Sequence, residues 1–301
     1  MSDMIKIGMI GLDTSHVVAF AKLLNNESNE YHVPGGRITV AFPGGSPDFD
    51  LSASRVEGFT NQLRDEFGVA IVDSPEKVAE QSDAILLESV DGRVHLEQFR
   101  RIAPYGKPVF VDKPFAVSSS DAQEMFRLAE RHNVPLMSSS SLRYAEALKQ
   151  GIQNAAKGAV IGADTYGPMA IVPTQPAFFW YGIHSVDMLY AILGTGCVHV
   201  SVETTEHHDV IVGQWKDGRI GTVRGNRKGN GKFGAVIHRE KGSDFVDIYS
   251  NPKPYYASML EDIMEMFRTR RPGLAPEETL EVIRFIEAAN ESRETGRKVS
   301  L

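Results

Sequence analysis

Residues Pro108 to Pro114, Pro-Val-Phe-Val-Asp-Lys-Pro, set a short apolar run directly before a carboxylate, an ammonium and a proline. Apolar residues without alternation suit a strand buried on both faces, as in a parallel sheet, and Pro114 stops that strand where it meets solvent. Lys113 therefore falls at a strand's carboxyl end, the edge at which open α/β sheets bind their ligands. The competing reading is a surface lysine that merely closes a strand. The neighbouring segments weigh between the two.

Ile5 to Ile10 is a second apolar run, followed by Gly11-Leu12-Asp13-Thr14-Ser15-His16 and a helical stretch from Val17 to Leu24. Strand, turn and helix in this order open a dinucleotide-binding unit, in which N–H groups at a helix N-terminus receive a pyrophosphate. Gly11 keeps the first glycine of the G-x-G-x-x-G pattern, while Asp13 and His16 take the second and third positions. A carboxylate beside a phosphate repels it unless it turns away or meets a cation. Two readings stay open for this turn: Asp13 or Thr14 caps the helix, or Gly11, Asp13, Thr14, Ser15 and His16 together face a cofactor. Arg37 to Phe42 reads as the next strand. No acidic residue follows it before Asp48, which leaves Ser46 as the ribose-side candidate and both NAD and NADP in play.

Val69–Val72, Ala84–Leu87 and Val134–Met137 read as further short strands. Between them lie helix starts at Ser74-Pro75-Glu76 and at Ser120–Gln123. Strands alternating with helices over short connections predict a doubly wound parallel sheet, a Rossmann-type domain over residues 1–120. From Cys197 onward the period changes to two, through Val198, Val200 and Val202, Val210 and Val212, Ile220 and Thr222, with Lys216-Asp217-Gly218 as a hairpin link. That pattern predicts a largely antiparallel open sheet within an α+β domain over residues 121–301.

Composition narrows the partners. A net charge of −7 and no basic cluster denser than Arg268 to Arg271 argue against nucleic acid. No apolar run approaches membrane-spanning length. A single cysteine, Cys197, fits a reducing compartment and rules out an internal disulfide. The Met1-Ser2-Asp3 opening leads straight into a strand, so the cytoplasm is the expected location. His199, His207 and His208 invite a metal reading, but adjacent histidines on a strand point to opposite faces, and no metal site is assigned.

The order of these signals resembles the Gfo/Idh/MocA family of glucose–fructose oxidoreductase, inositol dehydrogenase and their relatives. Asp112-Lys113-Pro114 is similar to that family's Glu-Lys-Pro, and Ser89, Asp91 and His95 resemble its Thr-Pro-Asn stretch and following histidine. Gly182-Ile183-His184-Ser185-Val186-Asp187 looks like its Gly-x-His-x-x-Asp helix. Read from the residues alone, His184 is a histidine satisfied in the domain interface before it is a catalytic one; the resemblance reverses that order and implies the proton-transfer residue opposite Lys113. It further implies NAD or NADP bound by Gly11, Asp13, Thr14, Ser15, His16, Ser46, Ser89, Asp91, His95, Lys113 and Pro114. The implied substrate is a sugar, cyclitol or other polyol held by Lys113, Trp180, Tyr181, His184 and Asp187, and the implied assembly is a homo-dimer or tetramer.

One departure bears on the chemistry. Where the family's dehydrogenases usually carry an aspartate four residues before the histidine, this chain has Trp180, which walls a pocket but accepts no proton. Tyr181 is the substitute donor. Hydride transfer by a nicotinamide-dependent oxidoreductase is the leading expectation, with Lys113 and His184 facing one cleft. A ligand-binding or regulatory relative, or a lyase or hydratase using the same pair, is the alternative.

Overall fold

The computed structural model describes residues 4–301. The chain divides into two compact units, Met1–Ser139 with Tyr256–Pro276, and Ser140–Tyr255 with Glu277–Leu301.

In the first unit β1 (Ile5–Ile10), α1 (His16–Leu24), β2 (Gly36–Phe42), α2 (Asp50–Ala53), α3 (Val56–Phe67), β3 (Ala70–Ile71), α4 (Pro75–Gln81), β4 (Ala84–Leu87), α5 (His95–Ile102), β5 (Val109–Val111), α6 (Ser119–Arg131) and β6 (Leu136–Ser138) alternate along the chain. The six strands form one sheet in the order β3-β2-β1-β4-β5-β6, every pair parallel. This is the doubly wound order expected of a Rossmann-type domain, with the strand order reversing between β1 and β4. Ile7, Met9, Ile10, Ile85, Leu86, Phe110 and Val111 are buried on both faces, which is why these strands read as unbroken apolar runs. Ser74 caps α4 by accepting the Lys77 N–H, with Pro75 at the first helical position.

The boundary expected at 120/121 moves to Ser139/Ser140. The helix it would cut into is the crossover to β6, and β6 pairs with β5 through Val109, Phe110 and Val111. The capping box expected at Ser120 lies two residues earlier: Ser118 accepts the Asp121 N–H.

The second unit contains α7 (Glu146–Gln153), β7 (Val160–Pro168), α8 (Gly182–Leu193), β8 (Cys197–Thr204), β9 (His208–Trp215), β10 (Ile220–Asn226), β11 (Gly234–Arg239) and β12 (Gly242–Asp247). After α9 (Tyr255–Thr269), most of which belongs to the first unit, come α10 (Pro276–Thr295) and β13 (Val299–Ser300). Its seven strands run β12-β11-β7-β10-β9-β8-β13, all antiparallel pairs except β7 with β10. A 3₁₀ turn at Ser141–Tyr144 leads into α7.

Period two holds in this sheet, but glycine decides which face is which. Gly213 and Gly221 lie on the face that meets the helices, where a Cβ would press within 2.7 Å of Phe285 and of Leu193 respectively. Val210, Val212, Ile220 and Thr222 consequently point to the other face, where Ile220 is 54% exposed. The helix side is packed by large rings, Tyr190 lying 5.7 Å from both Trp215 and Phe285. Cys197 is buried, and burial pushes its thiol up to about 12, so it carries no thiolate at neutral pH. Among the described residues no helix is long and apolar enough to cross a membrane.

Candidate active site

At the carboxyl ends of β1, β4 and β5 the first unit gathers most of the residues singled out from sequence. Gly11 adopts φ +87°, and a Cβ there would lie 2.3 Å from Ser89 Oγ, so the β1 and β4 ends meet only because this residue is glycine. The first turn of α1 contains no acidic residue, and Ser15 at its N-cap makes no side-chain capping bond. Thr14 Oγ1 accepts only a long 3.4 Å bond from the His16 N–H. The helix N-terminus thus keeps donors that neither Asp13 nor Thr14 occupies in the way a cap would.

Asp13 is turned inward. Its Oδ1 accepts the Val90 N–H at 2.9 Å and its Oδ2 accepts the Ser52 hydroxyl at 2.6 Å, while Ser52 Oγ in turn accepts the Ser46 N–H. Burial raises the Asp13 pKa, and the Ser52 and Val90 hydrogen bonds oppose that rise. The carboxylate therefore ties three loops together instead of confronting a phosphate. Asp13→Gly is expected to cost about 1–3 kcal/mol, because it strands a buried N–H and a buried hydroxyl, and to bring no gain in cofactor affinity; urea unfolding and a cofactor titration check both.

His95 is fully buried, with Nε2 2.7 Å from Ser89 O and Nδ1 3.0 Å from Pro114 O, so its ring braces the β4 loop against the β5 loop. Asp91 holds Arg93 at 2.7 Å, and Arg93 also pairs with Asp48. The first acid after β2 is thus engaged by an arginine. Ser46 Oγ is buried and has no hydrogen-bond partner, and Ser89 Oγ donates to Gln98.

Lys113 is 7% exposed. Burial lowers its pKa, and the neighbouring Asp112 and Glu88 partly restore it. Its N–H donates to Asp112 Oδ1 at 2.8 Å, and the Lys113–Pro114 peptide bond is cis. Glu88, the residue after β4, is completely buried. Burial, together with the charge of Asp112, holds its carboxyl well above the usual range. His16 opens α1 with Nδ1 2.7 Å from Asp112 Oδ2, its ring 5.0 Å from that of Tyr256.

In the second unit His184 and Asp187 lie in the first two turns of α8. Both are buried, because α8 is covered almost all round. His184 Nδ1 lies 2.7 Å from Ser140 Oγ, and its ring meets those of Tyr181 and Phe233 edge-on at 5.5 Å. Asp187 accepts the Ser140 N–H at 2.9 Å and takes Arg143 through both oxygens. Arg143 also pairs with Glu278. Although burial disfavours its charge, the two carboxylates hold its pKa above the usual guanidinium value. Trp180 is 6% exposed, its ring 5.8 Å from that of Tyr181.

Glu88 and Arg143 escaped the sequence reading, although Glu88 carries the signal that picked out Lys113, a charge ending an apolar run. Ser140 lies in the serine run Ser138–Ser141, which by sequence is either a plain loop or a set of hydroxyls lining a ligand cleft. His199, His207 and His208 turn instead to Ser300, Glu206 and Asn226.

The family model described as an oxidoreductase family with an NAD-binding Rossmann fold, GFO_IDH_MocA, matches residues 5–140, and this stretch of the chain is similar to that family. An uncharacterized oxidoreductase, YhhX, of Escherichia coli (strain K12) is 27% identical over 111 residues, a match that spans 33% of this chain and 32% of that protein. Among solved structures, scyllo-inositol dehydrogenase of Lactobacillus casei with bound NAD(H) and scyllo-inositol superimposes with a TM-score of 0.80 at 15% identity, covering 99% of both chains. Myo-inositol dehydrogenase of the same organism, with NAD(H) and myo-inositol, gives 0.77 at 14% identity over 99% of this chain and 97% of its own. At these identities the likeness is one of fold.

Proposed function

We propose that this protein is a nicotinamide-dependent oxidoreductase that acts on a sugar, cyclitol or related polyol. The observation that carries the reading is Lys113, a buried ammonium at the carboxyl end of β5, in a sheet whose α1 N-terminus is left without a side-chain cap. The residues present fit a dinucleotide at its phosphates: Gly11 admits close approach, the first turn of α1 presents backbone donors, and Asp13 is held away by Ser52 and Val90.

The nicotinamide supplies the hydride acceptor. Lys113 Nζ donates a hydrogen bond to the reacting oxygen and stabilises the negative charge that develops there, and the His184 imidazole takes the hydroxyl proton. Ser140 holds His184 by Nδ1, while Arg143 locks Asp187, so Asp187 is a positioning residue for the loop that carries Ser140. Trp180 and Tyr181 wall the polyol. The open face of the second sheet, with Ile220 and Phe245 exposed at 54% and 70%, supports a homo-oligomer.

A non-redox ligand-binding reading is favoured by Trp180 alone, an indole where a proton acceptor is usual in relatives. A panel of inositols and aldoses assayed with NAD and with NADP separates the two. Reduced nicotinamide should accumulate with at least one polyol; binding of a polyol without reduction of either cofactor would replace the dehydrogenase reading by the binding one.

A further inference from the structure

The ends of β1, β4 and β5 also assemble three ligating side chains. His16 opens α1, Glu88 follows β4 and Asp112 follows β5, with side chains 9%, 0% and 2% exposed. One ligand atom from each lies within 4.8 Å of the others. His16 Nδ1 is 2.7 Å from Asp112 Oδ2 and 3.9 Å from Glu88 Oε2. Ligands bound at roughly 2.0–2.1 Å in a tetrahedral site stand about 3.3 Å apart, a value these separations straddle.

Both Glu88 oxygens are buried without a hydrogen-bond partner, beside the close pair formed by His16 Nδ1 and Asp112 Oδ2. Asp112 divides its work, Oδ1 accepting the Lys113 N–H and Oδ2 turning toward His16. Buried polar atoms are almost always satisfied, so two carboxyl oxygens of Glu88 left over beside an imidazole and a second carboxylate call for a missing partner. A proton on Glu88 adds one more donor and leaves the other atoms as they are. A cation satisfies all of them at once and neutralises two carboxylates buried side by side.

We propose that His16, Glu88 and Asp112 bind one divalent first-row transition cation. An imidazole with two carboxylates suits ions of the zinc and manganese kind, whereas calcium and magnesium prefer larger, all-oxygen shells. Three protein ligands are the number of an open site, with a further position for water or another oxygen. The proposal is independent of hydride transfer, and its readout requires neither cofactor nor polyol.

The test uses full-length protein stripped with chelator and titrated by calorimetry with Zn²⁺ alone and with Mn²⁺ alone, with elemental analysis after gel filtration. One equivalent per chain should bind saturably and raise the unfolding temperature. Glu88→Gln, close to isosteric, and His16→Gln should each weaken binding at least ~10-fold and abolish the thermal response. Wild-type protein that retains no equivalent of either metal overturns the proposal, as does equal affinity in both variants, which would place the ion at surface groups such as His207 and His208. If Glu88→Gln does not fold, the wild-type stoichiometry and His16→Gln decide the matter.

Discussion

Lys113→Arg should lower turnover about 10²–10⁴-fold, a barrier increase of roughly 3–5 kcal/mol, while the protein remains folded and still binds its cofactor. The ammonium is buried and feels the charges of Asp112 and Glu88, so the substitution has to keep the positive charge. A guanidinium does so, but it is planar and larger and cannot place a single donor where Nζ points. Overpacking adds about 1–3 kcal/mol of destabilisation, which urea unfolding measures separately from kcat. Lys113→Met is the less informative variant. It removes the donor and also deprives two buried carboxyl groups of a neighbouring positive charge, so lost activity would come mixed with lost stability.

Arg143→Met should destabilise the second unit by about 3–5 kcal/mol, the cost of leaving buried carboxylates without their partner. Arg143 is 10% exposed at the side chain, and it holds Asp187 and Glu278, which are 6% and 21% exposed. The consequence reaches further than stability. Asp187 also accepts the Ser140 N–H, and Ser140 Oγ holds His184, so freeing Asp187 loosens the imidazole. A fall in kcat beyond that explained by unfolded protein, partly recovered in Arg143→Lys, distinguishes positioning from bulk stability. Thermal unfolding and steady-state kinetics on the same preparations give both numbers.

Much of this was legible in the residue order. An apolar run ending in Asp112-Lys113-Pro114 identified β5 and its ligand-side terminus, because a strand buried on both faces leaves no alternation to mistake. Gly11 was equally readable, since a glycine after a first strand has few other uses. Partners distant in sequence were not. Asp13 reaches Ser52 and Val90, 39 and 77 positions away, and nothing local distinguishes that arrangement from a helix cap. The sidedness of β9 and β10 was hidden for a different reason: hydrophobicity points to Val210, Val212 and Ile220, whereas the helices press where Gly213 and Gly221 make room. Arg143, which holds Asp187 of α8, comes from the 3₁₀ turn at Ser141–Tyr144, 44 positions away. Glu88 was missed by applying to β5 a rule that held equally for β4.

We propose that Lys113 and His184 both act in the oxidation of the polyol. A double-mutant cycle on kcat/KM with Lys113→Arg and His184→Ala tests it most directly, using the polyol that gives the highest turnover. Groups acting as a unit are strongly non-additive, so the double variant should be little slower than the slower single variant. Multiplication of the two single effects in the double variant would contradict the account and assign the residues to separate tasks.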